Sequence, residues 1–345
     1  MTLAPSSRIG VLPVNVGTPD APHPREVRRY LREFLGDPRV FDVPPALRWF
    51  LLNFVILPFR PRRSAEAYEK VWTSEGSPLL VYGRRFEAAL QTALGDDFRV
   101  ILAMRYQSPS MRSAFETFRA EGIDRIVVFP LFPQYASATT GTVLENAYRL
   151  AASYWNTPHL RVVDPYYDHE GLIEAFREVG EPILREIRPD HVLFSFHGLP
   201  ERQVRKSDES GRHCLASAEC CAQIGMENRN CYRAQCRVTA SLLAARLELP
   251  PGGWTMTFQS RLGRDPWIRP YTDETVVSLA KSGFRRIAAF SPAFVADCLE
   301  TIEEIGMQAR ASFLEHGGEE FRLVPSLNAH PRWIAAAASL VRRAL

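Results

Sequence analysis

The first 213 residues of this 345-residue chain contain no cysteine, so no disulfide framework can staple its amino-terminal half. Long apolar runs are lacking too. The longest, Trp49 to Leu57, is broken by Asn53 and reaches about half of the ~20 residues needed to span a bilayer. Neither sign of charge is in excess: 42 basic and 39 acidic residues leave a net charge of +3, which is no footprint for a nucleic-acid binder. MTLAPSSRIGVLPVNVG has no charged leader followed by a long apolar core, so the expectation is a cytoplasmic protein without a secretory signal. Apolar content of 46% and charged content of 23% exclude disorder.

What is present is a chain longer than a single core supports, patterned as alternating strands and helices. Strands are expected at Ile9 to Val16, Val100 to Met104, Ile126 to Phe132, His191 to Phe196, Trp254 to Phe258 and Ile287 to Phe290. Helices are expected at Glu170 to Ile187, Thr239 to Leu247, Thr272 to Lys281 and Leu299 to Phe313. This grammar is that of an α/β fold with mostly parallel sheets. A weak duplication runs through it. GIDRIVVF at 122 to 129 matches GFRRIAAF at 283 to 290, and Gly17-Thr18-Pro19 echoes Gly198-Leu199-Pro200. The expectation is two similar lobes, 1–165 and 166–345, with a cleft between them, in which Val16 holds the place of His197.

Polar chemistry gathers at strand ends, the edge where open α/β sheets bind ligands. FPLFPQYASATTG at 129 to 141 and SFHGLP at 195 to 200 both pass from apolar residues to Gln, Tyr, Ser, Thr or His. His197 ends one strand, and its imidazole can accept a proton or bind a transition metal. In SPAFVADCLETIEE at 291 to 304, Glu300 and Glu304 lie four apart and share a helix face, where like charges raise each other's proton affinity and offer a path for protons or a cation. The bland alternative is an exposed acidic face that includes Glu303.

Two segments stand outside this pattern. WFLLNFVILPF at 49 to 59 is followed by Arg60, Arg62 and Arg63, which suits either a membrane interface or a core helix ended by Pro58 and Pro61. Cys214, Cys220, Cys221, Cys231 and Cys236 crowd into a stretch too polar to build a core, at about 207–236. Such clustering argues for thiolate ligation of a metal, either zinc, which His213 could join, or a [2Fe–2S] cluster.

The chain resembles the ferrochelatases, which insert ferrous iron into a porphyrin. The resemblance rests on VNVGTPDAP, SAEAYEKVW, EGSPLLVY, RYQSPS, FPLFPQYASATTG, SFHGLPER, FQSRLGRDPWIRPYTDET and AFVADCLETIEE, which cover nearly the whole chain in family order. It implies two similar Rossmann-like, chelatase-like lobes, the first bearing an apolar lip. It implies His197, Glu300, Glu304 and Asp297 as catalytic residues, with His197 and Glu300 meeting the iron. It implies Val16, Arg105, Tyr106, Gln134, Tyr135, Ser137, Thr139, Thr140 and Trp267 as substrate-binding residues, with Lys70, Arg84 and Arg105 steering porphyrin propionates. Val16 stands where the coproporphyrin-using branch carries Tyr, which favours protoporphyrin IX. Cys298 stands where some relatives have His.

A porphyrin holds two N–H protons in the hole the metal must enter, so the ring must be bent and deprotonated as Fe2+ sheds water. His197 can take a proton on one face while Glu300 and Glu304 conduct iron or protons on the other. The Cys-rich segment is an insertion relative to the family, some of whose members carry [2Fe–2S]. No cysteine follows Cys298, so any such group is expected to be internal, held by four of the five thiols, with adjacent Cys220 and Cys221 the first expected place for a non-ligand and Cys236, which aligns with a cysteine of cluster-free relatives, the second. The expected partners are protoporphyrin IX and Fe2+, with peripheral contact to a membrane or to the porphyrin-producing enzyme, no nucleic acid, and an open oligomeric state. The alternatives are a coproporphyrin III ferrochelatase, a cobalt or nickel tetrapyrrole chelatase, and a non-enzymatic iron–sulfur sensor.

Overall fold

The computed structural model describes residues 8–261, 263 and 265–345, so the leader reading of residues 1–7 lies outside the described residues, as do Leu262 and Arg264 of the FQSRLGRDP motif. Two compact units result. The first combines Met1–Phe132, described from residue 8 onward, with Ser137–Asp164 and Asn328–Leu345; the second combines Pro133–Ala136 with Pro165–Leu327.

The first unit holds β1 (Ile9–Gly17), β2 (Phe98–Val100), β3 (Ala103–Tyr106), β4 (Arg125–Pro130) and β5 (His159–Val162). They form a parallel sheet in the order β2-β1-β4-β5, with β3 also pairing β1. The second unit holds β6 (His191–His197), β7 (Trp254–Gln259), β8 (Arg286–Phe290) and β9 (Glu320–Leu323), parallel in the order β7-β6-β8-β9. β1 and β6 are covered on both faces, which is why they read as near-continuous apolar runs.

The strand order is the same in both units once β2 and β3 are taken as one interrupted strand. The echo of GIDRIVVF in GFRRIAAF therefore falls on equivalent strands, β4 and β8. Its shared glycines have a physical reason. Gly122 and Gly283 sit at φ 70° and φ 92°, each just past a helix end. In both, the glycine N–H and the next residue's N–H return to the helix, Gly122 to Arg119 and Ile123 to Phe118, Gly283 to Ala280 and Phe284 to Leu279. This is the Schellman closure, in which a left-handed residue satisfies the last free carbonyls.

The structure differs from the sequence reading at several places. Val100 to Met104 is not one strand, because the Leu102 N–H turns aside to Glu87 Oε1 at 2.8 Å. The helix expected from Thr239 begins at Tyr232, and the one expected from Leu299 opens as a π-helix at Glu300–Ala309. β5 and β9 were not foreseen, since HLRV and EFRL are short, half-polar edge strands. The terminal helix Pro331–Arg343 belongs to the first unit although the boundary at 166 places it in the second. Its Trp333 stacks on Phe86 at 5.9 Å and lies 6.3 Å from Phe129, so aromatic packing decides where it docks.

The apolar segment also departs from a core helix ended by its prolines. A helix at Pro45–Phe50, a π-turn at Leu51–Ile56 and a helix at Leu57–Val71 follow without a break. Pro58 lies in the first turn of the last helix, where a missing N–H costs little. Pro61 cannot donate to the Leu57 carbonyl, and Arg28 Nη1 fills that place at 2.9 Å. Leu52, Leu57 and Pro61 are buried, while Trp49, Phe50, Phe54, Val55 and Phe59 are exposed, Phe59 at 75%. No helix among the described residues is long and apolar enough to cross a membrane.

Candidate functional site

His197 is the last residue of β6, half-buried, with the rings of Phe294 and Trp267 at 6.4 Å and 6.5 Å. Its Nδ1 lies 2.7 Å from the Gly198 carbonyl. A carbonyl can only accept, so Nδ1 carries the proton and Nε2 of the neutral ring is left as an acceptor. Gly198 is needed for space: a Cβ there would stand 2.8 Å from the Gln259 carbonyl and 3.1 Å from the Trp267 ring. The strand end and Trp267 can close on each other only without that atom.

Glu300 and Glu304 come from the π-helix, a form often found at functional sites. Glu304 is the better defined. Its Oε1 accepts the Ser260 N–H at 2.7 Å, and its Oε2 accepts the Ser260 hydroxyl and Gln259 Nε2. Burial raises its proton affinity above the ordinary carboxylate value. The Ser260 hydroxyl and the nearby His197 oppose that, and Glu300 adds to it. Gln259 links the three places within the second unit: its carbonyl accepts the Gly198 N–H beside His197, and its Nε2 donates to the Glu300 carbonyl and to Glu304 Oε2. Glu303 points elsewhere: it is buried and accepts from Gln308 Nε2 at 2.6 Å, so the helix does not present a plain acidic face.

Asp297 has a different place from the reacting one expected of it. It is buried, and its Oδ1 accepts the Thr301 hydroxyl at 2.9 Å and the Ser326 N–H at 3.1 Å. It anchors the start of the π-helix. Cys298, fully buried, hydrogen-bonds Glu300, and burial first and that carboxylate second hold its proton on.

The residues expected to bind substrate divide between the units. Trp267 is in the second, beside His197. So are Gln134, buried with Nε2 on Thr239 Oγ1 at 3.0 Å, and Tyr135, whose N–H donates to Gln235 Oε1 at 2.6 Å. Val16, Arg105, Tyr106, Ser137, Thr139 and Thr140 are in the first. Arg105 and Tyr106 are engaged by the protein itself: Asp37 Oδ2 accepts from Arg105 Nη2 at 2.8 Å, Tyr106 Oη at 2.9 Å and Thr142 Oγ1 at 2.5 Å. Arg105 Nε also meets Thr142 Oγ1 at 2.8 Å, which leaves little of its guanidinium for a propionate. Ser137 accepts from Arg39 Nη1 at 2.9 Å, Thr139 is half-buried, and Thr140 Oγ1 is buried without a hydrogen-bond partner. Val16 is half-buried at the end of β1, and Lys70 and Arg84 are exposed.

Sequence reasoning missed Asp37, Gln259 and Ser260. Gln259 and Ser260 stand inside FQSRLGRDP, a motif used only for the resemblance, while Asp37 sits in none of the motifs that carried it. The left-handed φ of 67° at Ser260 has no sequence signal at all.

All six cysteines are free and buried. Cys220 and Cys221 have their Sγ atoms 3.7 Å apart, and the Cys231 thiol hydrogen-bonds both Cys214 and Cys221. Cys236 bonds Tyr232 instead. The sulfurs already receive donors: Arg233 Nη1 lies 3.3 Å from Cys221 Sγ, and the Leu215 N–H lies 3.3 Å from Cys220 Sγ. The polar loop holds itself without a core of its own. Asp208 accepts the N–H groups of Ser210, His213 and Cys214, and Asn228 bridges Gly225, Gln223 and the Cys220 carbonyl. His213 Nε2 faces that same carbonyl at 2.8 Å. Among the described residues, no three His, Cys, Asp or Glu side chains stand ready as a metal-binding group.

Residues 8–345 match the Ferrochelatase family. A ferrochelatase of Coxiella burnetii (strain Dugway 5J108-111) is 44% identical over 340 residues, covering 99% of this chain and 95% of its own. Those of Bdellovibrio bacteriovorus and Azotobacter vinelandii are 44% and 46% identical over 333 residues, each covering 96% of this chain and 98% of its own. In fold the chain is similar to SirB from Bacillus subtilis with Fe3+, at TM-score 0.53 and 16% identity, covering 78% of this chain and 92% of that one. It is similar also to the sirohydrochlorin chelatase SirB from Bacillus subtilis subspecies spizizenii in complex with cobalt, at TM-score 0.51 and 12% identity, covering 98% and 95%. The match along residues 8–345, together with this identity to whole ferrochelatases, means that the chain belongs to the ferrochelatase family.

Proposed function

We propose that this protein inserts Fe2+ into protoporphyrin IX to form protohaem, the last step of haem biosynthesis. The observation that carries the reading is the grouping of His197 with Glu300 and Glu304 in a chain of this family. The reaction exchanges two pyrrole protons for one Fe2+. His197 Nε2 is the base for a pyrrole proton, since Nδ1 is engaged at Gly198. Glu300 and Glu304 take iron or protons, and Trp267 offers a flat apolar wall. Half-buried Val16 supports protoporphyrin over the more carboxylated coproporphyrin. Purified protein given protoporphyrin and Fe2+ is expected to develop haem absorbance; none from active-site-intact protein refutes the reading. Competition with coproporphyrin III and with Co2+ or Ni2+ tests the alternative chelatases.

For the Cys-rich loop the reading is a [2Fe–2S] cluster on Cys214, Cys220, Cys221 and Cys231. The buried sulfurs, the Arg233 and Leu215 donors and the shared hydrogen bonds of Cys231 support it, and the Tyr232 contact of Cys236 favours the second of the two expected places for the odd thiol. Burial pushes the Cys214 and Cys220 thiols up, so a bound group must displace their protons. When bound, such a cluster supplies a structural tie and a one-electron store. Charge-transfer absorption with stoichiometric iron and sulfide supports it; a colourless protein holding zinc refutes it.

The reading further places the protein in the cytoplasm and on the inner membrane face, with oligomeric state left to solution measurement. Exposed Trp49, Phe50, Phe54 and Phe59 beside exposed Arg62 and Arg63 suit an anionic lipid surface or the porphyrin-producing enzyme, either of which would hand over an apolar macrocycle.

A further inference from the structure

Gln259 ends β7, next to the strand that ends in His197, and with Ser260 just beyond it holds both carboxylate oxygens of Glu304. Gln259 reaches three ways. Its carbonyl accepts the Gly198 N–H at 2.8 Å, its Oε1 accepts the Ser195 hydroxyl at 2.8 Å, and its Nε2 donates to the Glu300 carbonyl at 2.9 Å and to Glu304 Oε2 at 3.2 Å. Ser195 is held in turn by Thr272, and Thr272 by Thr257, each at 2.9 Å. The amide therefore has little freedom to rotate.

Ser260 completes the grip. At φ 67° it lies in the left-handed region, which a residue with a side chain enters at a cost. That conformation aims its N–H at one oxygen of Glu304 and its hydroxyl at the other. Both carboxylate oxygens are thus oriented from the strand end that also sets His197. A carboxylate with neither oxygen held would be free to swing, and a ligand that moves passes a cation poorly.

We propose that Gln259 and Ser260 are positioning residues for iron delivery: they lock the Glu304 carboxylate in a fixed relation to Glu300 and His197, and they act on Fe2+ and not on porphyrin binding. The inference rests on the iron-insertion reading above. Outer groups that orient metal-binding side chains are worth about 10- to 100-fold in metal affinity or activity.

The experiment uses the full chain and three variants, Ser260→Ala, Ser260→Gly and Gln259→Leu, with initial rates measured against Fe2+ and porphyrin separately. Glycine takes the left-handed conformation without strain, so Ser260→Gly isolates the hydroxyl from the backbone and keeps the proposal testable where buried Gln259→Leu misfolds. The expected result is a fall of about 10- to 100-fold in kcat/KM for Fe2+, with the porphyrin KM changed by less than about twofold. An Fe2+ kcat/KM in Ser260→Gly equal to that of the parent overturns the proposal, as does a porphyrin KM that shifts as far as the iron one. A parent protein that makes no haem sinks the functional reading itself; an active parent with unaffected variants sinks this inference alone.

Discussion

The two units share a strand order, yet the carboxylates held at the ends of the equivalent strands β3 and β7 behave oppositely. In the first, Asp37 is buried, and that desolvation alone would raise its pKa. Thr142, the Arg39 N–H, Tyr106 and Arg105 outweigh it and hold the carboxyl below its ordinary value of 3.8. In the second, burial of Glu304 wins over Ser260 and His197, and the carboxyl sits above its ordinary value of 4.5. The same fold thus carries a saturated ion-pair node in one copy and an under-compensated carboxylate in the other. A node whose lone pairs are all filled stabilises. A carboxylate whose proton affinity is raised is better suited to exchange protons, in keeping with the role proposed for Glu304.

The largest test of that contrast is His197→Ala, expected to lower haem formation by about 10²- to 10⁴-fold with unfolding unchanged. Retained turnover, read as haem absorbance, would move the chemistry elsewhere. Asp37→Asn should do the reverse: a loss of about 3 kcal/mol in denaturant unfolding, because breaking a buried pair strands Arg105, with chemistry largely spared at temperatures where the protein stays folded.

The pH dependence of these two carboxylates should have opposite signs. Asp37 has a depressed folded pKa, so its contribution to stability is complete above 3.8 and is lost as pH falls through the folded value. Glu304 has a raised folded pKa, so its contribution is complete below 4.5 and is lost as pH rises through the folded value. Asp37→Asn should therefore destabilise at neutral pH and matter less in acid, while Glu304→Gln should stabilise at neutral pH and lose that advantage in acid. Melting curves of both variants at pH 3 and pH 7 that move in the same direction would erase the distinction.

Smaller effects follow at the periphery. On the [2Fe–2S] reading, Cys221→Ser should bleach the visible bands of the purified protein, whereas Cys236→Ser should keep them, since the Cys236 thiol is engaged by Tyr232. Equal bleaching in both would reopen the choice of ligands. Phe59→Glu, at a position 75% exposed, should reduce sedimentation with anionic vesicles and leave haem formation from detergent-dissolved porphyrin unchanged. Undiminished sedimentation would remove the lip from the membrane reading.

Much of this was legible in the chain. Parallel strands covered on both faces read as unbroken apolar runs, which is why β1, β4, β6 and β8 were found to within two residues while the half-polar edges β5 and β9 were not. His197, Glu300 and Glu304 were visible because their types and spacing carry chemistry. Arg105 and Tyr106 looked equally chemical, and Asp37, 68 and 69 residues away in the sequence, has claimed them both.

Local pattern alone determined the α/β alternation, the repeat, the family and the candidate site residues, because each depends on residues within one strand, one helical turn or one motif. Only tertiary packing decided which unit the last helix joins, that Ser260 bends left-handed to grip Glu304, and whether a given buried carboxyl lies above or below its usual pKa. Those outcomes are balances between burial and the hydrogen bonds that distant segments bring to it, and no stretch of sequence contains both sides of such a balance.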